Sequence, residues 1–133
     1  MLSGRSSEAS TVVEDYLRTY PRDPGGVVTS VQALIHAKAG DNRAAAQDIR
    51  KATQLGQGFG HFHHAAYNIA SAYALLGQPE RAVQWLHRVV NDGLPCYPLL
   101  ANDPNLDNLR QDSGFLALLA ELKSQWGHWD KTL

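Results

Sequence analysis

Residues 70–89 read "ASAYALLGQPERAVQWLHRV" and residues 33–52 read "ALIHAKAGDNRAAAQDIRKA". Laid over one another they bring Gly40 onto Gly77, thirty-seven positions later. Ala33, His36, Ala45, Ile49 and Ala52 then stand where the second copy has Ala70, Tyr73, Ala82, Leu86 and Val89. The chain contains an internal repeat, and the repeat has the period of a helix pair.

The spacing has a physical reading. A helix commonly ends at a left-handed residue, and glycine takes that conformation without strain. Gly40 and Gly77 therefore predict the ends of two helices. Asp41 can cap the helix that follows the first turn, and Pro79 suits a first helical position, where its missing N–H costs nothing. Small side chains at Ala33, Ala45, Ala70 and Ala82 let paired helices approach closely, while Ile49, Tyr73, Leu86 and Val89 fill the space between neighbours. Working outward, apolar residues recur at helical spacing over 8–20, 26–39, 42–54, 62–76, 79–91 and 113–126. The intervening breaks are "PRDPGG" (21–26), "GD" (40–41), "GQGFG" (56–60), "GQ" (77–78) and the proline-marked stretch 92–104. No segment alternates as a strand does.

The pattern resembles the tetratricopeptide-repeat signature, which has an alanine or glycine, an aromatic three residues on, a glycine four after that, then an alanine, a large apolar residue and another alanine. The second unit, 63–96, is similar to it in "YNIASAYALLGQPERAVQWLHRV". The first unit, 26–59, departs more: Gln32 stands at a usually apolar place, His36 replaces the aromatic, and neither unit has the early tryptophan. The resemblance implies an all-α fold of stacked antiparallel helix pairs, an α-α superhelix over one domain, 1–133. In it, 8–24 is a partial repeat helix whose first helix is missing, and 97–126 is a degenerate repeat with a C-terminal capping helix. Leu106, Leu109, Phe115, Leu118, Leu119 and Leu122 would form the apolar face of that cap. The tail also resembles the end of repeat arrays in large bacterial regulators.

Composition narrows the function. Twelve Lys and Arg against thirteen Asp and Glu leave a net charge of −1, with the basic residues scattered, so no electrostatic footprint for nucleic acid or an anionic membrane is expected. One cysteine, Cys96, excludes an intrachain disulfide and any CxxC knuckle. The first ten residues carry no apolar signal region and no eighteen-residue apolar run exists, so the expected location is cytoplasmic.

Three constellations could carry chemistry. His61, His63 and His64, with His36, His87, His128 and Cys96 as further ligands, would need to converge on one point, and helical ligand pairs do so at i, i+4. These histidines lack that spacing, so no metal is expected. "GQGFG" lacks the strand before it and the lysine after it that phosphate loops require, so it reads as a linker, with no nucleotide cofactor. Cys96 in "GLPCYP" has no oxyanion signature beside it and reads as a small plug rather than a nucleophile. The chain is expected not to be an enzyme.

What remains is surface. By the resemblance, the first helix of each pair lines a concave groove. The first unit would contribute Val27, Ser30, Val31, Leu34 and Lys38. The second would contribute His64, Tyr67, Asn68, Ser71 and Leu75. Asn68 matches an asparagine with which members of this family hold a ligand's backbone, and a helix-to-helix hydrogen bond is the equal alternative. Members that clamp carboxyl-terminal peptides carry paired basic residues in the groove, whereas here only Lys38 is present. The expected function is binding of a protein or peptide segment, with a homodimer through an exposed end as a further possibility. A regulatory or oligomerisation tail of a bacterial kinase or transcription factor is the alternative, and a small metal enzyme at the histidines serves as the contrast.

Overall fold

The computed structural model describes the backbone of residues 3–20, 22–57, 62–91 and 97–132, with the side chains of all of these except 3–7, 24, 63 and 126–132. Among the described residues seven α-helices follow in chain order: α1 (Ser3–Thr19), α2 (Val27–Lys38), α3 (Asn42–Gly56), α4 (His63–Leu75), α5 (Pro79–Asn91), α6 (Tyr97–Asn102) and α7 (Ser113–Thr132). A 3-10 turn at Pro24–Gly26 precedes α2, and a 3-10 segment at Pro104–Leu109 precedes α7. No strand occurs among the described residues. The all-helical class predicted from periodicity is what the chain adopts.

The two aligned turns close in the same way. Gly40 has φ 80° and Gly77 φ 74°. Asp41 donates its N–H to the carbonyl of His36 at 2.9 Å and Gly40 to Ala37 at 3.1 Å; Gln78 donates to Tyr73 at 3.0 Å and Gly77 to Ala74 at 3.2 Å. Each turn is a Schellman motif that uses up carbonyls the helix end would otherwise leave unpaired. Asp41 Oδ1 accepts from the N–H of Ala44 at 3.2 Å, so the expected cap forms, and α5 begins at Pro79 as expected.

These turns fold α2 onto α3 and α4 onto α5, and α2 also packs along α4. Aligned positions share burial. Ala33 and Ala70, Ala45 and Ala82, and Ala52 and Val89 are all fully buried, and so, nearly, are Ile49 and Leu86. The alanines bring backbones together, and each large side chain removed from water contributes about 1.5–3 kcal/mol. Helix α4 sits between two apolar clusters. Ala65, Ala66, Ile69 and Ala72 belong to the cluster shared with α2 and α3, while Ala70 and Ala74 belong to the one shared with α5, α6, α7 and the 3-10 segment. A helix buried on nearly every side needs small apolar residues all round, which is why α4 carries no charged side chain beyond its histidines.

The α3–α4 connection is held by Phe62, which is 4% exposed. A Cβ on Gly56 would come within 1.7 Å of its ring, so "GQGFG" begins with the glycine that makes room for Phe62. The Arg88 guanidinium lies 4.8 Å from the Phe62 ring centre and 5.0 Å from that of Trp85, covering the ring from outside. Gly58 to His61 lie outside the described residues.

The C-terminal part is more helical than its sequence suggested. The stretch read as a break contains α6, whose Pro98 sits in the first turn, where proline is tolerated; six residues are too few to show a helical period. Asp103 Oδ1 then accepts from Asn105 N–H at 2.9 Å to start the 3-10 segment. Arg110 joins these pieces, donating to the carbonyls of Ala101 at 2.6 Å and Asp103 at 2.9 Å. Leu106, Leu109, Phe115, Leu118 and Leu122 are buried and Leu119 is half-buried, as the apolar face required. Helix α7 runs on to Thr132 rather than stopping near 126, and α1 begins at Ser3 rather than near 8.

Candidate functional site

Because α2 lies along α4, their thirty-seven-residue register sets two rows side by side. One row is Val27, Val31, Leu34 and Lys38, and the other His64, Asn68, Ser71 and Leu75. Lys38 and His64 are exposed, and Val27, Val31, Leu34, Asn68 and Leu75 are half-buried. The surface is mildly apolar, with a cation at the C-terminal end of α2.

Four of the ten predicted groove residues, Ser30, Tyr67, Asn68 and Ser71, are taken up within the fold, by burial or by hydrogen bonds. Ser30 and Ser71 are 0% and 1% exposed, so neither side chain reaches a partner. Ser30 Oγ donates to the carbonyl of Val27 at 2.5 Å and accepts from Asn68 Nδ2 at 3.1 Å. Asn68 thus makes the helix-to-helix bond, from α4 to α2. Tyr67 turns away from the rows: its hydroxyl donates to Asp103 Oδ2 at 2.5 Å, fastening α4 to the start of the 3-10 segment. Ser71 Oγ, buried at the α4 packing face, has no hydrogen-bond partner among the described residues. A serine there replaces Leu34 of the first unit, a smaller side chain where the chain packs more tightly.

The histidines do not assemble. His36 Nδ1 lies 2.5 Å from Asp48 Oδ2, tying α2 to α3. Burial pushes the Asp48 carboxyl above its ordinary value of 3.8, against the opposing hydrogen bond and charge of His36. His64 and His87 are exposed on different helices. His61 and Cys96 lie outside the described residues, as do the side chains of His63 and His128. Among the described residues, no three His, Cys, Asp or Glu side chains are placed to hold a metal ion. No helix among them is long and apolar enough to cross a membrane.

Sequence reasoning missed two features. Asp23 is 1% exposed, with φ 36°, and its carboxylate accepts the N–H of Thr29 at 2.7 Å, the hydroxyl of Thr29 at 2.6 Å and the N–H of Val28 at 3.2 Å. It closes the N-terminus of α2, where a carboxylate meets both unpaired N–H groups and the positive end of the helix dipole. The signal was present in "DPGG", an acidic residue just ahead of a helix. The second is an open hollow of 520 Å³ beside α6, lined by Pro98, Leu99, Asn102, Asp103 and Pro104. No family model, curated protein or solved structure matches the chain.

Proposed function

We propose that the chain is a non-catalytic helical-repeat module of the tetratricopeptide type, which binds a protein or peptide segment along the rows of α2 and α4. One observation carries the reading: two helix hairpins, closed by identical turns, repeat in a thirty-seven-residue register with matching burial. Stacked hairpins of this kind present their first helices as a continuous surface, and such surfaces serve binding rather than bond-making. Val31, Leu34 and Leu75 would take apolar side chains, and Lys38 would meet a carboxylate at one end. The partner would be cytoplasmic, and the activity requires no cofactor.

Site-specific photo-crosslinking tests this. A benzoylphenylalanine at Lys38 or His64 is expected to trap the same partner, whereas one at Gln84, on the outer surface of α5, traps none. Equal trapping at all three positions, or none at Lys38 and His64, would remove the rows as the binding surface.

A further inference from the structure

Helix α1 takes the register of α3, the second helix of the first hairpin. Shifted by thirty-six residues, Ala9, Val13, Tyr16 and Tyr20 fall on Ala45, Ile49, Ala52 and Gly56 of α3. Burial agrees on the side that faces the following hairpin: Val13 is buried like Ile49, and Ser10 and Leu17 are half-buried like Ala46 and Thr53. It departs on the other side. Ala45, Asp48 and Ala52 of α3 face α2, their own first helix, whereas their counterparts Ala9, Val12 and Tyr16 stand exposed. Val12 is 67% exposed, Tyr16 38% and Tyr20 57%, and the two tyrosine rings lie 5.0 Å apart. Three large apolar side chains at i, i+4 and i+8 make a contiguous stripe rather than scattered surface residues.

We infer that this stripe is the seat of an α-helix from another protein, packing on α1 as α2 packs on α3. The two hairpins of this chain define the shape of the occupant. Ala33 and Ala37 in α2, and Ala70 and Ala74 in α4, are small residues four apart that let a first helix approach its second. The docking helix therefore carries small apolar residues at that spacing. Charge defines its rim. By helical register, Glu8 and Asp15 border the stripe on the side away from α2, and Arg18, which pairs with Asp15 at 3.2 Å, lies round the far side. Lys or Arg on the docking helix would meet those carboxylates. A second copy fits less well, because its α1 brings the same two carboxylates to the same rim, and its α2 and α4 are already paired.

This inference does not depend on the rows of α2 and α4, and its test separates the two. A displayed library on a fixed helical peptide scaffold is selected against the full chain. Enrichment of small residues four apart flanked by Lys or Arg is expected, and synthetic versions of the selected peptides should lose at least tenfold in affinity with Val12→Asp or Tyr16→Asp. Glu8→Lys should weaken them and favour Glu-flanked peptides instead, while Lys38→Glu leaves binding unchanged. All four positions are exposed, so circular dichroism should report an intact fold. The inference is overturned if no helical sequence is enriched, if the winners carry no basic rim, if Val12→Asp leaves binding intact, or if sedimentation shows a dimer that Val12→Asp dissolves.

Discussion

His36 Nδ1 stands 2.5 Å from Asp48 Oδ2, so a polar bond crosses the first hairpin at the positions where the second has Tyr73 and Trp85. Burial favours the neutral carboxyl of Asp48, so the folded chain holds its proton to a higher pH than the unfolded chain, whose value is near 3.8. Between those two values the native state binds more protons, and stability therefore rises as pH falls. The contribution is complete below the unfolded value and is lost as pH rises through the raised one. Asp48→Asn removes this dependence. Urea midpoints of the two proteins are expected to shift in favour of the wild type between neutral pH and the ordinary carboxylate range; a constant difference would refute the assignment.

The two hairpin glycines predict equal costs. A Cβ at Gly40 or Gly77 meets nothing within 4 Å, so only the positive φ opposes it. Gly40→Ala and Gly77→Ala should each cost about 1–2 kcal/mol in chemical denaturation. Gly56→Ala differs in kind, because its Cβ overlaps the Phe62 ring. It should cost more than either, and Gly56→Ala with Phe62→Leu should cost less than the sum of the two single changes.

Asp23 gives a third expectation. Replacing it with alanine strands three buried or half-buried donors at the start of α2. A loss of roughly 2 kcal/mol is expected from the capping and charged hydrogen-bond terms combined. Asn at the same place keeps two acceptor pairs on one oxygen and tolerates the left-handed φ, so it should cost less. Equal losses for the two variants would mean that the carboxylate bonds contribute little.

The hairpins were legible because their determinants are local. A glycine four residues past an aromatic or histidine, with alanines on both sides, states a turn and two packing faces within twenty residues. Leu106, Leu109 and Phe115 announced a buried face for the same reason. Helix α6 was not legible: its six residues are stabilised by Arg110, eight positions beyond its end, on the carbonyls of Ala101 and Asp103. The rows of α2 and α4 were half legible. Position told which helix face Ser30, Tyr67 and Ser71 occupy, but their roles depend on Asp103 and on the closeness of α2 to α4, which are contacts thirty-six or more residues away in the chain.

If the α2–α4 surface binds as proposed, Asn68 decides how much of it is free to do so. Its amide donates to Ser30 Oγ at 3.1 Å, so one of its two donors already serves the fold. A double-mutant cycle with Asn68→Ala and Ser30→Ala should give a coupling of about 0.5–1.5 kcal/mol in urea denaturation, the size of a neutral hydrogen bond. The pair Asn68→Ala and Lys38→Ala, which shares no contact, should be additive. If the first cycle also shows no coupling, the bond between α2 and α4 carries no weight, and Asn68 becomes available to a ligand. If the coupling appears, peptides laid along the rows must find their backbone partners elsewhere, and crosslinks at Lys38 should persist in Asn68→Ala with at most a modest loss of yield.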